Sequence, residues 1–310
     1  MALGTNNVTT TTAAKFIPEI WSDEIVAAYK SNLVAANLFS KMSFKGKKGD
    51  VLHIPKPTRG AASAKAASTQ VTLIAATENE ILVNIDKHYE YSRFIEDIVE
   101  TQALSSLRKF YTDDAGFAIA KQVDTDLIQL GRTAGSGTAY STAATTTNAF
   151  IGTNGTTVYN STSSNAAALT DAAIRRTIQR LDDADVPMTD RLMIVPPTTR
   201  NTLMGIARFT EQSFVGDAGS ANTIRNGQIG DVYGVKVYVS TNADSGAGNS
   251  GADRIVLMAH KDAFCLAEQM GVRSQTQYKQ EWLATLFTTD MLYGVAELRD
   301  SSAVALAVPA

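Results

Sequence analysis

Apolar residues change their period several times along this chain, and each change marks a new element. Leu107, Phe110, Phe117, Ala120, Val123, Leu127 and Leu130 recur at intervals of three, four or seven, which predicts a helix from about Leu104 to Leu130. At 1.5 Å per residue, a helix of roughly 27 residues spans about 40 Å, so it reads as a spine. Upstream, Val51-Leu-His-Ile-Pro55 and Glu80 to Tyr89 follow the two-residue period of strands, with Ile81, Val83 and Ile85 on one face. The residues between, Thr58 to Gln70, have almost nothing to bury. Lys45 to Tyr91 therefore predicts a long two-stranded arm, and because an isolated hairpin is marginal in water, the arm is expected to lie on a neighbour. Pro55 and Pro57 suit an exposed edge. Lys45, Lys47, Lys48, Lys56, Arg59 and Lys65 make the outgoing half basic, while Glu78, Glu80, Asp86 and Glu90 mark the return. That polarity fits register against another subunit and equally fits a solvated edge guarded by lysine.

Ahead of the arm, Ser22 is an N-cap for a helix whose apolar face is Ile25, Tyr29, Leu33 and Ala36; Phe16, Ile17, Ile20 and Trp21 precede it. No residue between Arg132 and Asp171 is charged, and this Thr/Ser/Ala/Gly/Asn block reads as a surface loop or insertion, with a short hairpin around Asn154-Gly155. Thr170 then caps a helix striped by Ile174, Ile178 and Leu181. Arg191 to Val195 is a buried-type strand, Pro196-Pro197 opens another helix, Phe209 to Gly230 is a mobile loop, and Ile229 to Ser240 is a turn and strand. Strands at 254–259, 272–278, 292–299 and 303–308 complete an α+β order with no repeat of solenoid period.

The 310 residues, 44% hydrophobic and 19% charged, suffice for a full core and exclude wholesale disorder. A net charge of -3 excludes a global basic field for nucleic acid, so any such contact is local and weak. No apolar run reaches the length of a membrane span, and the Thr-rich start lacks the plan of a secretory signal. The single cysteine, Cys265, sits in an apolar context and reads as a buried hydrophobe, which fits folding in a reducing cytoplasm.

Candidate chemistry is sparse. His53, His88 and His260 each stand alone without a second ligand at metal spacing. Asp124 and Asp126 look like a metal pair, but residues two apart on a helix point in different directions. There is no nucleophile elbow, Gly46-Lys-Lys-Gly-Asp lacks the phosphate-loop spacing, and Gly227-Gln-Ile-Gly-Asp-Val-Tyr-Gly234 precedes a strand, the reverse of a dinucleotide fingerprint. No catalytic, metal or cofactor-binding residue is assigned, and no cofactor is expected.

The order of elements resembles the major capsid protein of tailed bacteriophages, of the Hong Kong ninety-seven type. Phe16-Ile-Pro-Glu-Ile-Trp, Ile229-Gly-Asp-Val-Tyr-Gly-Val-Lys-Val, His260-Lys-Asp-Ala-Phe-Cys-Leu-Ala and Tyr293-Gly-Val-Ala-Glu-Leu-Arg are similar to that family's phrases. The resemblance implies an N-terminal arm at 1–44, an extended loop at 45–91, and a peripheral domain with the spine helix at 92–132 and 253–302. It further implies an uncharged insertion loop at 133–169 and an axial domain at 170–252 and 303–310. It implies a non-enzymatic subunit, placed in the virion and assembled in the host bacterial cytoplasm, whose hexamers and pentamers enclose packaged double-stranded DNA. Phe16, Trp21, Lys56, Arg59 and Lys65 are the expected inter-subunit contacts. Other implied partners are a separate scaffolding protein, since no scaffolding domain precedes the arm, a portal, a decoration protein, and DNA touched weakly and without sequence preference. The missing charge of the 133–169 block suggests that it faces outward or toward a neighbour. Some family members join a loop lysine to a peripheral-domain asparagine; Lys56 or Lys65 could supply the amine, but residues 251–310 contain no asparagine, so no such bond is expected. The alternatives are a bacterial encapsulating compartment of the same fold and, more remotely, an enzyme with an unrecognised site.

Overall fold

The computed structural model describes residues 34–57, 60–71, 73, 78–97, 107–210, 230–248 and 252–310. The chain begins with α1 (Ala35–Leu38), β1 (Ser40–Ser43), β2 (Val51–Pro57), β3 (Glu78–Asn84), β4 (Lys87–Glu96) and the long α2 (Leu107–Gln129). It continues through β5 (Ala149–Ile151), α3 (Asp171–Asp183), β6 (Arg191–Val195), α4 (Pro197–Met204), α5 (Ala207–Thr210), β7 (Asp231–Val232) and β8 (Val235–Val239). The last strands are β9 (Arg254–His260), β10 (Phe264–Lys279), β11 (Ala284–Glu297) and β12 (Ala303–Val308). Among the described residues they form a four-stranded sheet ordered β1-β10-β11-β4, a six-stranded sheet ordered β5-β12-β9-β6-β8-β7, and the β2-β3 ribbon.

The long helix binds the two larger sheets together. Ile119, Val123, Leu127 and Ile128 of α2 join Leu192, Ile194 and Leu257 of one sheet and Phe264, Leu266 and Tyr293 of the other in one core. The opposite face of the six-stranded sheet is covered by α3 and α4 through Ile174, Leu181 and Leu203. Thr170 caps α3 as its sequence predicts, its hydroxyl accepting from the Ala173 amide. The spine helix is rotated from its predicted face, since Ala120 is exposed and Phe117 half-buried, while Ala115 and Ile119 line the seam with Val123 and Leu127. Leucine and phenylalanine spacing favoured the wrong stripe because both sides of this helix are partly covered, so apolarity alone does not point to its core.

Two further readings change. The return strand of the arm is not continuous to Tyr89: it breaks at Ile85–Asp86, and β4 pairs with β11 in the body. There the chain passes over Gly294, where an added Cβ would lie 2.2 Å from the Asn84 carbonyl oxygen. Second, the uncharged block is part of the body rather than a surface insertion. Its β5 lies parallel to the C-terminal β12 at the sheet edge, and Tyr140 and Tyr159 are fully buried with Ala149, Ile255 and Ala305. The expected turn at Asn154-Gly155 is present, with Asn154 Oδ1 accepting from the Thr156 and Thr157 amides. The predicted helix face at Ile25, Tyr29 and Leu33 and most of the predicted loop at 209–230 lie outside the described residues.

Candidate functional site

The arm has two parts with different environments. At its base, β2 and β3 run antiparallel with Ile54 opposite Ile81 and His53 opposite Leu82. Val83 is fully buried against Cys265 and Ala267, with Leu52, Ile54, Ala296 and Leu298 packed around them. Alternation thus seats one face of the ribbon on the body's own sheet. Beyond Pro57 the described residues 60–71 are all exposed and carry no strand or helix, and Leu73 is 93% exposed. A tip of alanine, serine and glycine cannot offset the cost of ordering it alone.

Of the expected contact residues, Lys56 and Lys65 are exposed along the arm. Phe16, Trp21 and Arg59 lie outside the described residues. Lys56 also feels the body: its charge acts to lower the pKa of Glu297, whose carboxyl burial nevertheless pushes up, with Asp300 adding to the rise. The Thr133 hydroxyl donates to Glu297 Oε2 at 3.1 Å, while Oε1 is buried and has no hydrogen-bond partner among the described residues.

A second surface escaped the sequence reading. The β10–β11 hairpin ends in a turn that exposes Trp282 (70%) and Leu283 (65%), with Phe94 of β4 alongside at 6.4 Å between ring centroids. Leu283 is held at φ 42°, an uncommon conformation for a branched residue. Large apolar side chains gathered at a strand tip mark a surface that gains by being covered. The available signal was Glu281-Trp-Leu283, a tryptophan in a charged turn between two long alternating strands.

Buried carboxylates hold these surfaces in place. Asp124 accepts from the Val34 and Ala35 amides at 2.9 and 2.6 Å, satisfying the buried N-terminus of α1. Asp126 accepts from Tyr293 at 2.8 Å and pairs with Lys87 at 3.1 Å, tying α2 to β11 and β4. Burial, reinforced by Asp126, pushes the Tyr293 phenol up. Asp290 takes a two-bond clasp from Arg273, which lowers its pKa, and lies 3.3 Å from His88. His53 contacts Glu80 at 2.8 Å, and His260 accepts from the Asp262 amide. Cys265 is buried, which raises its thiol pKa. Each of these groups has a structural partner, and among the described residues no three His, Cys, Asp or Glu side chains are grouped to hold a metal. A cleft of about 450 Å³ opens where arm, spine and uncharged block meet, lined by Leu82, Asp86, Lys87, Asp126 and Arg132. No described helix is long and apolar enough to cross a membrane.

Comparison with known proteins gives a consistent picture. No curated protein matches the sequence. Among solved structures the chain resembles one from Mycobacterium phage Che8, at 21% identity and TM-score 0.75 over 98% of both chains. The capsid of cyanophage P-SCSP1u is similar at 20% identity and TM-score 0.75, over 99% of this chain and 96% of that one. The cyanophage Pam1 capsid has a TM-score of 0.73 at 14% identity, over 99% of both. These likenesses establish the fold, and the family model described as phage capsid protein matches residues 36–307, nearly the whole chain. The chain belongs to the phage capsid protein family, as a shell-forming structural subunit of a phage head.

Proposed function

We propose that hexamers and pentamers of this chain close into an icosahedral shell around packaged double-stranded DNA. The carrying observation is the arm, whose base is buried on its own body while its tip exposes Val71 and Leu73 with no cover among the described residues. Such a segment becomes favourable when a neighbour covers it, and many weak contacts of this kind add up around a closed shell. In this reading β2 and β3 are the extended loop. The four-stranded sheet with α2 is the peripheral domain, and the six-stranded sheet with α3 and α4 is the axial domain; β9, expected within the peripheral segment 253–302, pairs with β12 and β6 and so goes with the axial sheet. Residues 1–44 form a further arm, which ends by pairing its β1 with the four-stranded sheet, with Phe16 and Trp21 as contacts. Lys56, Arg59 and Lys65 engage the next subunit through charge and packing, without a covalent bond.

A separate scaffolding protein and a portal act during assembly in the host cytoplasm, and the finished particle is the site of residence. DNA contact is weak and independent of sequence, as a net charge of -3 requires. The chain has no catalytic role. The family match favours a phage head over an encapsulating compartment.

Expression of the full chain with its scaffolding protein, followed by electron microscopy, tests the proposal. Closed shells of uniform size are expected, and mature particles should run as single subunits on a denaturing gel. Persistent monomers would overturn the shell, and a ladder of joined subunits would overturn the non-covalent contact.

A further inference from the structure

Five arginines of the body are matched by a carboxylate: Arg132 by Asp244, Arg175 and Arg208 by Asp171, Arg191 by Asp182, and Arg273 by Asp290. Arg176 and Arg180 of α3 are not. Arg176 gives Nη1 to Gln179 Oε1 at 2.7 Å, and Arg180 gives Nε and Nη2 to the Gly155 carbonyl at 3.2 and 3.1 Å. Among the described residues both therefore spend their hydrogen bonds on neutral acceptors. The two lie four positions apart, on one face of α3, where like charges repel. Burial, and next the charge of Arg176, draws the Arg180 pKa down, and Asp183 opposes this only in part.

The surroundings hold this pair in place without neutralising it. The Arg180 guanidinium lies 3.7 Å from the centre of the Phe150 ring of β5, which fixes its plane and shields one face from water. Gly155, at φ 62°, packs so closely on α3 that an added Cβ would lie 3.1 Å from the Ala173 carbonyl oxygen. Arg180 Nη1 and Arg176 Nη2 remain unengaged among the described residues, and Arg176 Nε is buried without an acceptor. Gln179, exposed on the same turn, adds an amide donor. The two oxygens of a carboxylate are taken up by one guanidinium fork, whereas a phosphate has oxygens enough to face both forks and the amide.

We infer that Arg176 and Arg180 form a binding point for a phosphate oxyanion, with Gln179 as a neutral donor beside them. In the shell proposed above, that oxyanion is a backbone phosphate of the packaged DNA; this source rests on the shell reading, and the site itself does not. A contact of this kind reads no sequence. The test uses the full chain, titrated with a short fluorescent DNA duplex across a series of salt concentrations, and melted separately with and without inorganic phosphate. Each phosphate contact contributes about one to the slope of log affinity against log salt. Arg176→Gln/Arg180→Gln should therefore lower that slope by about two and abolish stabilisation by phosphate. Arg176→Gln alone, which leaves the stack on Phe150 in place, should lower it by about one. Arg175→Gln, next to the pair but matched to Asp171, should leave it within about 0.5 of the natural chain. Unchanged slopes with an unchanged phosphate response would overturn the site. A phosphate response lost in the double variant, with DNA affinity unmoved, would keep the oxyanion and remove DNA as its source. Fewer closed shells from the double variant with both responses intact would overturn the site in favour of a carboxylate from a second copy. Electron micrographs judge the shell separately: natural subunits that never close, yet show both responses and lose them in the double variant, would keep the site and remove the shell.

Discussion

Two stretches of this chain are written in nearly the same alphabet and end in opposite states. Residues 60–71 and 133–170 are both dominated by small and hydroxylated side chains, yet the first is exposed throughout and the second is built into the body. The difference lies in a few anchors. Tyr140 donates to Asp244, which also receives two bonds from Arg132, and Tyr159 donates to Asp253, which is further held by Ser164. Each tyrosine brings a large apolar ring and a hydroxyl whose partner, Asp244 or Asp253, lies beside the start of β9. Asn148 adds a local clamp, donating to the carbonyls of Arg132 and Ala134 and accepting from the Tyr140 amide. The tip has no such anchor among the described residues.

The sharpest way to break this comparison is to remove an anchor. Tyr159→Ala should cost about 3–5 kcal/mol in a denaturant titration of the isolated subunit, because a fully buried ring is lost and Asp253 loses a donor. If the cost is within about 0.5 kcal/mol, the block is held by its backbone and not by its tyrosines. Gly294→Ala tests how the arm is joined to the body: with Asn84 in the way, the expected loss is about 2–3 kcal/mol, read by the same titration. An unchanged midpoint would mean that the base of the arm moves aside freely.

Glu297→Gln sharpens the comparison at the junction between arm and block. Burial raises the carboxyl's pKa in the fold, so the ionised form is the costly one. The folded state therefore loses stability as pH rises from the ordinary glutamate range through the raised value, and keeps it below. The glutamine variant should melt a few degrees higher at pH 7 and no higher than the natural chain near pH 3. Equal melting at both pH values would show that the Thr133 hydrogen bond and the Lys56 charge together offset the burial. The smallest expected effect is on the fold itself: Leu73→Ser, or Trp282→Ala at the β-hairpin tip, should change subunit stability by no more than about 0.5 kcal/mol. Both should reduce the yield of closed shells in electron micrographs. A stability loss as large as that of Tyr159→Ala would place these residues in a core.

Much of the architecture was legible because it repeats locally. The Ile81, Val83 and Ile85 face of the arm is the face that the fold buries at Val83 and Ile85, and Thr170, Pro197 and the Arg191 to Val195 run each sit where their local chemistry directs. Cys265 also lies in the core, as its neighbours Phe264 and Leu266 indicate. The spine was recognised as a helix, but its seam was displaced, since a helix packed by two sheets presents no single apolar stripe. Trp282 was passed over because a lone tryptophan in a turn has no period, and only the return of β4 beside β11 brings Phe94 to it.

What the sequence determined by itself was the local order: which segments alternate, where helices begin, where proline forbids a ladder, and the absence of any recognisable grouping of residues for chemistry. These depend on neighbours within a few positions, and the backbone rules apply wherever the chain goes. Only the tertiary structure decided which small-residue stretch would be anchored, that β4 would return beside β11, and where the arm leaves the body. Those outcomes depend on distant partners, 104 residues apart for Tyr140 and Asp244 and 90 for Val34 and Asp124, and such pairs share no local pattern. Burial of a tyrosine or a carboxylate is favourable only when the distant group that satisfies it is already in position.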